Sequence, residues 1–131
     1  MKLILSFLFA LSILTACSYK QSELDAFDSQ IKRYNAKYQL KLEPTGSGLY
    51  LKIDSLGSGR AIQLQDSIWV SYTLKLLSGK IIEVQEQPVG MPLNGLIKAW
   101  QEALFGLPVG SSLRCIAPPQ LAYGQSGTDH I

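Results

Sequence analysis

The feature that most restricts how this chain can fold is the run from Leu93 to Gly124, LNGLIKAWQEALFGLPVGSSLRCIAPPQLAYG. Leu93, Leu96, Ile97, Trp100 and Leu104 recur at steps of three and four, so they share one face of a predicted helix. Asn94 is placed to cap its start, Gly106 and Pro108 to stop it, and Lys98, Gln101 and Glu102 fall on the opposite side. The period then changes. Leu113, Cys115 and Ala117 alternate with Ser112, Arg114 and Ile116, the pattern of a half-buried strand. Pro118 and Pro119 end that strand, because neither has an N–H to give to a ladder hydrogen bond.

Upstream, Ile68 to Leu77 carries the clearest strand pattern, with Ile68, Val70, Tyr72 and Leu74 on one face and Trp69, Ser71, Thr73 and Lys75 on the other. Ser78-Gly79 signals a hairpin, and Lys80 to Gln85 reads as the return strand. Leu49 to Asp54 alternates as a further strand, followed by a turn at Gly57-Ser58-Gly59. Several antiparallel strands with one late helix predict an α+β domain, a sheet wrapped over a helix. Before them, Leu24, Phe27, Ile31, Tyr34 and Tyr38 mark an amphipathic helix, with Ser22 as N-cap and Glu23 behind it. Its apolar stripe suits packing on the domain or, alternatively, a dimer or partner contact. The break at PTGSG, Pro44 to Gly48, sets the expected domain boundary.

The front of the chain reads differently. Met1-Lys2 is a short positive start, and Leu3 to Leu14 is an unbroken run of apolar or small residues, too short to span a bilayer. It ends in Leu14-Thr15-Ala16-Cys17, which resembles a bacterial lipobox whose cysteine is acylated and becomes the new N-terminus. The expected organisation is a lipoprotein signal peptide over 1–16, a membrane-proximal stalk and amphipathic helix over 17–45, and a domain over 46–131. Ser18 after the cysteine resembles the outer-membrane sorting class. This points to a lipid-anchored protein on the periplasmic face of the outer membrane in the cell envelope. With Cys17 lipidated, Cys115 has no intramolecular partner and reads as a small buried residue.

Residue chemistry narrows the function. The single histidine is His130, close to the end, so a Ser-His or Cys-His pair is not expected. One histidine and one spare cysteine do not make a zinc site, and no phosphate or dinucleotide fingerprint occurs. No metal and no cofactor are expected. A net charge of +2 with scattered Lys and Arg gives no basis for nucleic-acid binding.

LNGLIKAW, GLPVGSSLRCIAPPQLAYG and DSIWVSYTLKLLSGK, in this order and spacing, resemble the signature of FKBP-type peptidyl-prolyl cis-trans isomerases. That resemblance implies an antiparallel sheet half-wrapped around a short helix, with a proline pocket between them. It implies catalytic roles for Tyr72, Glu83, Ile97, Trp100 and Tyr123, and substrate contacts for Ile82, Val89, Met91 and Leu96. Trp100 would form the pocket floor, Tyr72 a wall, and Ile97 would offer its backbone N–H to a substrate carbonyl. Tyr123 would offer its hydroxyl from the rim. Proline-containing unfolded or exported polypeptides would be the partners.

The chain also departs from the family pattern. Ile82-Glu83 stands where Phe-Asp is usual, Val89 or the shifted Met91 replaces an aromatic, and Ala99 replaces the glycine before the tryptophan. The family's final strand is not found after Gly127-Thr128-Asp129-His130-Ile131. These departures keep open an isomerase-like chaperone or binding module with little turnover, or an inactive fragment.

Overall fold

A computed structural model describes residues 18–127. The leader over 1–16, the lipidation at Cys17 and the histidine at His130 lie outside the described residues. The elements in chain order are α1 (Gln21–Lys37), β1 (Glu43–Pro44), β2 (Tyr50–Ser55), β3 (Ser67–Lys75), β4 (Ile81–Pro92), α2 (Lys98–Leu104) and β5 (Ser112–Ile116). Single 3-10 turns form at Leu93–Gly95 and Pro119–Leu121. All strand pairs are antiparallel, in a three-stranded sheet of order β1-β2-β5 and a hairpin of β3 with β4. The expected α+β class is what folds.

Helix α2 lies between the two sheets and is apolar on both flanks. Ala99 and Ala103 are buried against Leu49, with Leu51, Leu113 and Ala117 of the three-stranded side packed around them. Trp100 and Leu104 turn to the other flank and pack on Ile62, Ile68, Leu93 and Leu107, together with Val70 and Met91 of the hairpin. Leu49 and Leu93, both with no exposed surface, anchor the two clusters. Burying one such leucine contributes about 1.5–3 kcal/mol. A glycine at 99 would lack the methyl that fills the α2–Leu49 contact.

Helix α1 packs on the same body through Ile31, which is buried with Leu42 and Tyr50. The Tyr50 hydroxyl donates to Asp28 Oδ1 at 2.6 Å, and Lys32 Nζ sits 2.7 Å from the same carboxylate. Asn35 closes the return, donating to the Leu42 carbonyl and accepting from the Leu42 N–H. The stripe fades at Tyr38, which is exposed. Ser22 does not cap this helix. Its N-cap is Lys20, whose N–H donates to Glu23 Oε2 at 2.7 Å, so the acidic residue reaches back over the first turn.

Two other expectations change. The run from Leu93 is not one helix: Leu93–Gly95 makes a 3-10 turn, Leu96 and Ile97 are extended, and α2 begins at Lys98 with Ile97 as N-cap. Asn94 therefore caps nothing. The return strand continues past Gln85 to Pro92, since Pro88 falls in a register shift between the Val70–Val89 and Tyr72–Gln85 pairs. A proline at such a bulge costs no ladder hydrogen bond.

Cys115 is exposed rather than buried. It lies on β5, the edge strand of its sheet among the described residues, so no neighbouring strand covers its outer side. On the same strand Arg114 forms a two-pronged ion pair with Asp54 of β2, at 2.9 and 2.8 Å.

Candidate functional site

The site forms where β3, β4, the 93–97 turn, α2 and the loop after Pro118 meet. Period-two alternation on β3 sends Tyr72 to the same side as Ile68 and Val70, toward α2. There its ring meets the Trp100 indole edge-to-face, with centroids 5.2 Å apart and planes at 84°. This arrangement sets the positive ring edge against the negative face of its partner, worth about 0.5–1.5 kcal/mol beyond burial. Both residues are half-buried, so each keeps a surface for a ligand.

Glu83 pairs with Leu74, so it lies on the hairpin face that carries Tyr72, at the next pair along that face. Burial first, then the Glu83 carboxylate, then nearby Tyr123 raise the Tyr72 pKa above its usual 10.0. The hydroxyl therefore stays protonated at neutral pH and can donate. Tyr123 arrives on the loop that follows the 3-10 turn Pro119–Leu121, held by the Gly124 N–H donating to the Pro119 carbonyl at 2.8 Å. Gly124 takes φ of +68°, a left-handed conformation that glycine adopts without a Cβ clash.

The extended pair Leu96-Ile97 gives the turn its use. Leu96 packs into the Leu93 cluster, while the Ile97 N–H has no acceptor among the described residues. Gln101, on the polar side of α2, holds this turn by donating from Nε2 to the Leu96 carbonyl at 2.8 Å. Sequence reasoning missed that role, and a polar residue on a polar face carries no signal of it.

The structure gathers Tyr72, Glu83, Trp100 and Tyr123 and sets Ile97 at the start of the same helix. Leu96 and Met91 pack on the same buried cluster as Trp100, and Val89 pairs across from Val70. Ile82 is different. It is the extra residue between the Leu74–Glu83 and Lys75–Ile81 pairs and stands outside the cluster around Trp100. Two open depressions flank the site: one of about 400 Å³ beside Tyr72 and Val84, the other of about 530 Å³ beside Tyr123 and Tyr19. Trp100 lines neither.

A chemistry of this kind needs no ionised nucleophile and no metal ligand. It presents aromatic faces, one carboxylate on the strand face that carries a phenol, and an open backbone donor. Such a surface suits an uncharged, partly apolar ligand with a carbonyl to place.

The family model for FKBP-type peptidyl-prolyl cis-trans isomerases matches residues 58–131. The peptidyl-prolyl cis-trans isomerase Mip of Coxiella burnetii is 37% identical over 88 residues, covering 65% of this chain and 38% of that protein. The FKBP-type 22 kDa isomerase of Escherichia coli is 36% identical over 96 residues, covering 71% of this chain and 46% of its own length. The chain thus spans less than half the length of the curated relatives it matches here. Among solved structures, an isomerase from Pseudomonas syringae superposes with a TM-score of 0.70 at 25% identity, covering 86% of this chain and 83% of that one. FkpA from Escherichia coli superposes with a TM-score of 0.67 at 25% identity, covering 85% and 56%. With the match running over more than half of the sequence, on the elements that carry Tyr72, Trp100 and Tyr123, the chain belongs to the FKBP-type peptidyl-prolyl cis-trans isomerase family.

Proposed function

We propose that this chain accelerates cis-trans rotation of X-Pro bonds in exported polypeptides, held at the cell envelope by a lipid on Cys17. The edge-to-face pair of Tyr72 with Trp100, with Glu83 and Tyr123 beside it, carries the reading. Rotation is slow because it breaks amide resonance, a barrier of about 18–20 kcal/mol. The planar amide is more dipolar than the twisted one, so an apolar surface disfavours the ground state relative to the transition state. A thousandfold acceleration requires roughly 4 kcal/mol of preferential binding. Burial of the prolyl ring on Trp100, with hydrogen bonds from the Ile97 N–H and the Tyr123 hydroxyl, is of that order.

The experiment is direct. The full chain should speed cis-to-trans conversion of short X-Pro peptides, and Tyr72→Ala should slow it while the fold survives. Cys17→Ser should abolish incorporation of labelled fatty acid in cells. A folded wild-type chain without acceleration defeats the enzyme reading.

A second reading draws on two observations. Ile82 stands apart from the aromatic cluster, and Trp100 lines neither depression. A less enclosed site of that kind suits an unfolded-chain binder with little turnover. Binding that persists in Tyr123→Phe and Glu83→Ala, without measurable isomerisation, would select it.

A further inference from the structure

The start of α1 and the loop after Pro118 together form the larger depression, a cleft of about 530 Å³. Leu24, Pro119 and Ala122 give it an apolar lining, Tyr19 and Gln120 stand at its sides, and no charged residue lines it. Tyr123 lines it too, so the residue beside Tyr72 also borders this cleft. Packing holds the Tyr19 and Gln120 side chains while the cleft is empty. The Tyr19 ring meets Phe27 edge-to-face at 5.5 Å and 79°, and its hydroxyl would lie 3.8 Å from a Cβ on Gly124. The Gln120 amide nitrogen packs over Gly48, 2.9 Å from where a Cβ would stand.

Two side-chain atoms of these walls, the Tyr19 hydroxyl and Gln120 Oε1, are buried with no hydrogen-bond partner among the described residues. Groups left this way are costly and call for a partner. One can donate and the other accepts. Both atoms are covered as they stand, so they reach the C=O and N–H of a peptide backbone only when the two side chains turn into the cleft.

We propose that this cleft is a second subsite for the same substrate, taking an apolar residue that flanks the isomerised X-Pro bond. Tyr19 donates to that residue's backbone carbonyl and Gln120 accepts from its N–H. The assignment rests on the isomerase reading. Continuity through Tyr123 fixes the occupant: a polypeptide with its proline at Trp100 that passes Tyr123 runs on into the cleft. The uncharged lining favours an apolar side chain there, since a charged one would lose hydration without a partner.

The test compares kcat/KM of the full chain for a minimal blocked X-Pro peptide and for the same peptide extended on either side with leucines or with serines. The leucine-extended peptide should be favoured by about tenfold over the serine-extended and minimal ones. Leu24→Asp should bring that ratio close to one, with a thermal melt recording that the variant folds. Tyr19→Phe removes a single hydroxyl and should lower the ratio by about threefold, so it carries the test if Leu24→Asp does not fold. Equal values for all peptides in the wild type, or an advantage that survives both substitutions, overturns the subsite and leaves the isomerase reading standing. No turnover of any peptide overturns both.

Discussion

Replacing Trp100 by leucine separates what the indole does for folding from what it does for substrate. Leucine keeps an apolar group against the cluster of Ile62, Ile68, Leu93 and Leu107 but removes the ring that meets Tyr72. Loss of the edge-to-face pair costs about 0.5–1.5 kcal/mol. Trp100 is only half-buried, so its smaller replacement loses roughly another 1–2 kcal/mol of burial. The sum, roughly 1.5–3.5 kcal/mol, lies below the usual stability of about 5–15 kcal/mol, so the variant folds. Its melting temperature should fall by roughly 10–15 °C. The catalytic loss is separate from that stability change and of similar size. A prolyl ring that buries roughly 80 Å² on the indole gains about 2 kcal/mol, or about thirtyfold in kcat/KM. The assay is cis-to-trans conversion of an X-Pro peptide, run well below the variant's melting transition. A folded Trp100→Leu protein within about threefold of wild type would refute the role given to the indole.

Two further outcomes follow from other parts of the structure. In Gly57→Ala the new Cβ would stand 2.1 Å from the Val109 carbonyl oxygen and 2.5 Å from the Gly110 carbon, both backbone atoms that cannot swing aside. A loss of roughly 2–4 kcal/mol is expected in a denaturant titration, and a melt within about 2 °C of wild type would contradict it. The pH dependence turns on three aspartates. Lys32 and then Tyr50 hold the Asp28 carboxyl below its usual 3.8, Arg114 does the same for Asp54, and Arg60 with the Gln63 N–H for Asp66. Because the folded values are depressed, their stabilisation is fully present above the ordinary carboxylate range and is lost as pH falls through the folded values. Asp28→Asn should therefore flatten the fall in urea midpoint on acidification below about pH 4, and an unchanged slope would remove Asp28 from that account.

Much of this could be read before any coordinates. Strict alternation on β3 places Ile68, Val70 and Tyr72 inward and Trp69 outward, where it is 76% exposed. The fate of Leu93 to Leu104 was legible only in part. A 3-10 turn followed by two extended residues keeps the same side chains facing inward as one continuous helix would, so apolar spacing cannot tell them apart. Pro88 hid the length of β4, because a proline inside a strand argues against the strand unless the bulge that accommodates it is known. Alternation on β5 gave the parity of Cys115 but not which elements cover that strand, and this decides exposure. The contribution of Tyr19 was invisible, since it depends on a loop about a hundred positions away.

Helix α1 joins the sheet through Ile31 and the Asp28–Tyr50 hydrogen bond, and its first residues abut the tyrosine-bearing loop. If the lipid proposed on Cys17 is present, the tether joins just ahead of Ser18 and does not behave as a leash on which the domain drifts freely. It would leave little chain between the lipid and the domain, and so limit how far the mouth can travel from the point of attachment.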